Sequence, residues 1–238
     1  MRYWPFSKWT SKASHPAFEK NHSFFKELDQ DQPIETYDYV VFDTELTGLS
    51  NNQDEIISIG AVHIRNLQIH TGKTFHSYVR PYQKFDATES TFIHRITPQQ
   101  IVGAPKLKQV MPEFIDFCGP ALLVGHYVGL DMKFFNKAAQ NIFGSIIKNP
   151  CLDTMFLAQA YTEMCWTQYH DQYNLQISYN LGDLSEAYAL PLFKQHDALH
   201  DALQTAYLFV FLIKKLQKEG LMTLRDIFRA RGGLKNLL

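Results

Sequence analysis

The run Tyr39-Val40-Val41-Phe42 leads directly into Asp43 and Glu45, and this junction restricts the fold more than any other part of the chain. β-branched and aromatic residues in so short a run predict a strand, here over residues 38–43, and Thr47-Gly48 then turns the chain away. Strand side chains alternate, so positions two apart share a side. Two carboxylates therefore leave the end of one strand together. Held that close, they repel unless a cation lies between them. Carboxylate oxygens are hard ligands that suit Mg²⁺ or Mn²⁺. The pair thus calls for a metal and for further acids elsewhere, although a solvated strand end explains the pair taken alone.

Two later segments offer those acids. Leu122 to Val124 reads as a short strand and Asp131 to Gln140 as a helix, which puts Asp131 at the helix start. A carboxylate there suits the unpaired N–H groups and the dipole, so capping alone accounts for it. In the second segment, Leu199, Leu203, Ala206, Val210 and Ile213 mark the apolar face of a long helix. His196 precedes that helix and Asp201 lies in its first turns. An imidazole with an ordinary pKa near ~6.5 takes up a proton at neutral pH, which fits His196 as a general base. His200 is adjacent to Asp201 and turned about 100° away from it on a helix.

Taken together, these segments resemble the DEDDh exonucleases, the superfamily that includes the epsilon proofreading subunit of bacterial DNA polymerase III. Asp43-Thr44-Glu45 matches the first family motif. Gly125-His126 with Asp131 matches the second, and His196-x4-Asp201 matches the third. Ile93-His94-Arg95-Ile96-Thr97, Cys151-Leu152-Asp153-Thr154 and Leu181-Gly182-Asp183-Leu184 before Pro191 resemble family segments as well. The likeness runs from about Tyr37 to Lys215. It departs at Leu46, where related chains often carry Thr, and at Tyr127, where Asn is common.

The resemblance implies an α/β, ribonuclease H-like fold with a mixed central sheet flanked by helices. It implies a 3′–5′ exonuclease with two Mg²⁺ or Mn²⁺ ions that hydrolyses terminal phosphodiesters to nucleoside 5′-monophosphates. Asp43, Glu45, Asp131 and Asp201 would be the metal ligands and His196 the general base. Leu46, Thr47, Gly48, Leu49 and His126 would meet the substrate, a single-stranded or 3′-terminal nucleic acid. Leu49 is open to a second reading as ordinary core, and His94 and His126 are open to one as structural histidines. A glycine at position 48 lets backbone approach a sugar closely. DNA is the favoured polymer. An exoribonuclease resembling oligoribonuclease or ribonuclease T uses the same motifs. A phosphodiesterase acting on small nucleotides and a non-catalytic nucleic-acid-binding module are the rivals.

The rest of the chain divides into three regions. Residues 1–35 form an extension rich in aromatics (Tyr3, Trp4, Phe6, Trp9, Phe18, Phe24 and Phe25), with a helix expected over Ala17 to Leu28. It either packs on the same domain or binds a protein partner. The exonuclease domain spans 36–218. Its strands are expected at 38–43, 56–64, 70–79 and 121–125, and its helices at 106–118, 131–142, 153–164, 181–189 and 198–218. Residues 165–180 read as a loop. The tail, 219–238, is basic through Arg225, Arg229, Arg231 and Lys235, with a short helix over Thr223 to Ala230.

Composition adds limits. A chain of 238 residues with 45% hydrophobic content fills a core of ordinary size. A net charge of −1 argues against a broad electrostatic nucleic-acid surface, but bound cations supply local positive charge to a nuclease. Cys118, Cys151 and Cys165 lack zinc-site spacing and read as reduced thiols. No apolar run reaches the ~18 residues of a membrane span, and no signal-peptide core opens the chain, so a soluble cytoplasmic protein is expected.

Overall fold

The computed structural model describes residues 15–50, 52–83, 95–166 and 178–234, with backbone alone at 165–166 and 231–234. Five strands among these residues form one mixed sheet in the order β3-β2-β1-β4-β5. β1 (Tyr39–Leu46) is central. It runs antiparallel to β2 (Ile56–Arg65) and parallel to β4 (Leu122–Gly125). β3 (Gln68–Tyr78) pairs antiparallel with β2, and β5 (Cys151–Asp153) pairs parallel with β4.

Alternation along β1 divides its residues between two apolar layers. Val40, Phe42 and Leu46 face a cluster built from α1 (Pro16–Phe24), α3 (Leu107–Cys118) and α4 (Gly129–Phe143). Phe114 and Phe135 form the centre of that layer, with rings 5.2 Å apart. Tyr39 and Val41 face the opposite layer. It is built from α5 (Thr154–Trp166), α6 (Leu181–Ala187), α7 (Ala198–Lys218) and α8 (Leu224–Leu234). α7 supplies more of its apolar residues than any other element, among them Ala206, Phe209, Leu212 and Leu216, none exposed. The four-residue helix α2 (Pro98–Ile101) buries Ile101 beside Ile57 and Ile96.

Several boundaries differ from the sequence expectation. β1 continues through Leu46, so Asp43 and Glu45 sit within the strand, where pairing to β2 holds them. Cys151 to Asp153 forms a strand ahead of α5. Three residues are too few for a periodic signal, so the sequence showed only the helix that follows. α1 ends at Phe24 because Phe25 leaves helical geometry.

The segments flanking the sheet pack onto it. Phe18 of α1 is fully buried and lies 5.1 Å from the Phe143 ring. Asn21 accepts a bond from the Lys148 amide, and the His22 ring meets the Ile146 carbonyl at 2.8 Å. Residues 30–34 run beside 222–225. Ile34 N donates to Met222 O, Arg225 N donates to Gln30 O, and the Arg225 guanidinium pairs with Asp31. The aromatic residues at 3, 4, 6 and 9 lie outside the described residues. So do His94, most of the expected 165–180 loop, and Lys235.

Candidate functional site

The acid pair projects from the sheet face that α7 covers, on the same side as Tyr39 and Val41. Gly60 of β2 pairs with Asp43 in register. A Cβ at Gly60 would lie 2.2 Å from both the Ala198 carbonyl carbon and the Leu199 nitrogen. Only glycine therefore lets the first turn of α7 rest on the sheet beside the acids. This contact carries Asp201 inward. Oxygens of Asp43, Glu45 and Asp201 fall within 4.8 Å of one another.

The entry to α7 is tied to the same group. Asp197 caps the helix, its Oδ1 accepting from the Leu199 and His200 amides at 3.2 Å each. His196 holds φ at +62°, uncommon for a side-chain-bearing residue, and its main-chain N–H donates to Asp201 Oδ2 at 2.8 Å. One carboxylate is thereby fixed, and the exposed imidazole is set at the mouth of the site. The His200 ring turns aside and stacks on Phe193 at 6.3 Å.

Asp131 approaches from the other face of the strand. It is buried in the first turn of α4, and its Oδ1 accepts from Thr44 N at 3.1 Å and Thr44 Oγ1 at 2.5 Å. Thr44 separates the two acids of the first motif, and its own side chain locks the third acid in place. The three-carboxylate cluster does not include Asp131, but of the neighbouring charges Asp131 raises Asp43 the most. The α4 entry is itself anchored. Asp153 Oδ1 accepts from Tyr127 N at 3.0 Å, and the His126 ring meets Thr154 Oγ1 and the Tyr179 carbonyl at 2.8 Å each.

Burial and mutual repulsion push these acids upward. Asp43 lies well above the usual carboxylate range, first from burial and then from the charges of Asp131, Asp201 and Glu45. Glu45 is raised to about 8 by burial and by Asp201, and Asp131 to about 7 by burial against the opposing Thr44 bonds. Asp201 is also raised by burial, although the His196 amide lowers it. No Lys or Arg is hydrogen-bonded or ion-paired to any of the four among the described residues. Such a donor set fits hard divalent cations, whose charge relieves the repulsion. His126 moves the other way, lowered to about 4 by desolvation, so its ring is neutral at pH 7.

The expected substrate residues are dispersed. Leu49 is 77% exposed, so core packing is not its role, whereas Leu46 is buried. Tyr127 and Leu130, next to Asp131, are also exposed. At Gly48, a Cβ would meet the Asp54 carboxylate at 2.6 Å. That carboxylate also accepts from Thr47 Oγ1 and Ser50 N at 2.8 Å, so glycine is explained by the closing of the loop. Both nitrogens of His126 are held internally. Sequence reasoning missed Thr44 and Gly60. The small residue between the acids and the glycine amid β-branched β2 were the available signals.

The RNase_T family model, described as exonuclease, matches residues 40–209. The chain belongs to this exonuclease family. Its members of DEDDh type are 3′–5′ exonucleases. A DNA polymerase III PolC-type of Caldanaerobacter subterraneus subsp. tengcongensis is 35% identical over 193 residues, 80% of this chain and 12% of that protein. One from Staphylococcus saprophyticus is 30% identical, over 83% of this chain and 13% of its own length. The chain thus spans about an eighth of these curated relatives. Among solved structures, Exonuclease X in complex with 5′ overhanging duplex DNA superposes with a TM-score of 0.60 at 20% identity, covering 81% of this chain and 99% of that one. The nuclease domain of 3′hExo, a DEDDh family member bound to rAMP, gives 0.60 at 17%, covering 77% and 94%. These likenesses are of fold, the ribonuclease H-like mixed sheet flanked by helices.

Proposed function

We propose that this protein is a metal-dependent 3′–5′ exonuclease that releases nucleoside 5′-monophosphates from DNA ends. The convergence of Asp43, Glu45 and Asp201 within 4.8 Å, in the family's fold, carries this reading. Asp43, Glu45 and Asp201 would hold divalent cations, with Asp131 contributing from the Thr44 side. Two such ions, when bound, supply Lewis acidity and lower the pKa of a coordinated water. Asp43 feels the charges of Asp131, Asp201 and Glu45 alike, which supports it as a ligand that would serve both groups of acids. His196, exposed at the mouth, would accept the proton of the attacking water. Leu49 and Tyr127 offer apolar and aromatic surface for a terminal base, a contact that tolerates any sequence.

The PolC-type relatives favour DNA as substrate, and the 3′hExo complex with rAMP is the reason to test RNA beside it. The experiment uses 5′-labelled single-stranded DNA and RNA of equal sequence, with Mg²⁺, with Mn²⁺ and with chelator. A metal-dependent ladder shortening from the 3′ end, faster on DNA and absent in Asp43→Ala, is expected. Faster shortening of RNA would reverse the polymer assignment. Intact polymers under all conditions would remove the exonuclease reading.

A further inference from the structure

Beside the carboxylates lies a polar pocket of about 60 Å³, lined by Arg95, Lys194, His76, Ser58, Gln100 and His196, with Asp197 at its wall. We propose that this pocket is a second phosphate subsite, holding a backbone phosphate of the bound strand other than the one being cleaved. The inference rests on the exonuclease reading above.

Three observations lead to it. First, the charge is unbalanced. Arg95 and Lys194 are exposed, and neither pairs with a carboxylate among the described residues. The acid at the wall, Asp197, already spends Oδ1 on the amides of α7. Second, the uncharged side chains of Gln100 and Ser58 are able to donate. Gln100 uses Oε1 to accept from Thr97, which leaves its amide nitrogen to donate. Ser58 Oγ lies 3.5 Å from the His76 ring, a polar pair on the pocket floor. Third, the position is adjacent to the chemistry. Ser58 is the cross-strand partner of Glu45, and such pairs stand about 5 Å apart at Cβ. Arg95 holds φ at +59°, a sparsely populated state that recurs at binding sites. An arginine fork and an ammonium around a space of this size suit a phosphate. The scissile phosphate belongs with the carboxylates and their cations, so the pocket is left for a neighbour along the strand.

The test uses Arg95→Gln and Lys194→Gln, both at exposed positions, with circular dichroism to verify folding. Each protein is given a single-stranded DNA oligomer and thymidine 5′-(4-nitrophenyl phosphate), which has one phosphodiester and no neighbouring phosphate. The ratio of kcat/KM on the oligomer to that on the ester is expected to fall about tenfold in each variant, through a higher KM for the oligomer. The salt slope of oligomer binding should lose about 0.7 per contact removed. An unchanged ratio, whether neither substrate or both suffer, overturns the subsite. If wild-type protein cleaves neither substrate but the variants still show the smaller salt slope, the phosphate pocket stands and the exonuclease reading falls.

Discussion

Replacing Gly60 by alanine adds one methyl group next to the clustered acids and touches none of them. Its Cβ would lie 2.2 Å from two backbone atoms of α7 and 2.4 Å from a third, Ala198 O. Backbone cannot rotate away as a flexible side chain does. Ordinary contact at 3.4 Å or more requires the helix to withdraw by about 1.2 Å. Asp201 sits one turn along the same helix and withdraws with it. A displacement near 1 Å in a reacting constellation costs roughly 10² in rate. Overpacking of this kind costs about 1–3 kcal/mol, and at about 2–4 °C per kcal/mol for a chain of this size, Tm drops by several degrees. Gly60→Ala should therefore fold, melt earlier and lose about 99% of its kcat on a labelled DNA oligomer. Gly72→Ala is the control. Nothing lies within 4 Å of a Cβ there, so activity should be unchanged. A Gly60→Ala protein with wild-type turnover would refute the claim that this contact sets the position of Asp201.

Four further outcomes follow from the same geometry. Removing charge at the cluster should help the metal-free fold and stop the chemistry, so Asp43→Asn should raise Tm in chelator while showing no nuclease activity; a lowered Tm would contradict the repulsion described above. The folded-state values of Asp43, Glu45, Asp131 and Asp201 are raised, so their contribution to stability is present at pH 4 and is lost as pH rises through about 7 and about 8 for Asp131 and Glu45. Metal-free protein should therefore melt several degrees lower at pH 8.5 than at pH 5.5, and millimolar Mg²⁺ should close that gap. His196→Ala should slow hydrolysis by ~10²–10⁴ fold and flatten the acid limb of the pH–rate profile; an unaltered profile would remove His196 as base. Thr44→Val deletes the hydroxyl bond to Asp131 at constant shape, which costs about 1.5–3 kcal/mol for a bond to a charged acceptor and should raise the Mg²⁺ concentration needed for half-maximal rate.

The acids were legible because each stands at a junction with its own local signal: a β-branched run before Asp43, a short strand before Asp131, a helix period after His196. Contacts across the sheet carry no such signal. Gly60 reads locally as a flaw in a strand, and its purpose exists only once α7 lies over β2. His126 shows the same limit. Its motif suggested substrate, but its neighbours Thr154 and Tyr179 are 28 and 53 residues distant. β5 was hidden by brevity, and β1 ran past its expected end because pairing with β2 outweighs the low strand propensity of Asp and Glu.

The clasp between residues 30–34 and 222–225 bears on the order in which the chain can acquire its structure. Asp31 and Arg225 are 194 residues apart, so their meeting closes nearly the whole described chain into one loop. Contacts at such separation come late, after the entropy of closure has been offset by nearer ones. Ile34 is fully buried in a layer that includes Leu224 and Ile227. During synthesis this residue emerges early and must wait, uncovered, until some 190 later residues have followed. A ribosome-bound chain halted before position 224 would have its clustered acids already translated and its apolar layer still open at one edge.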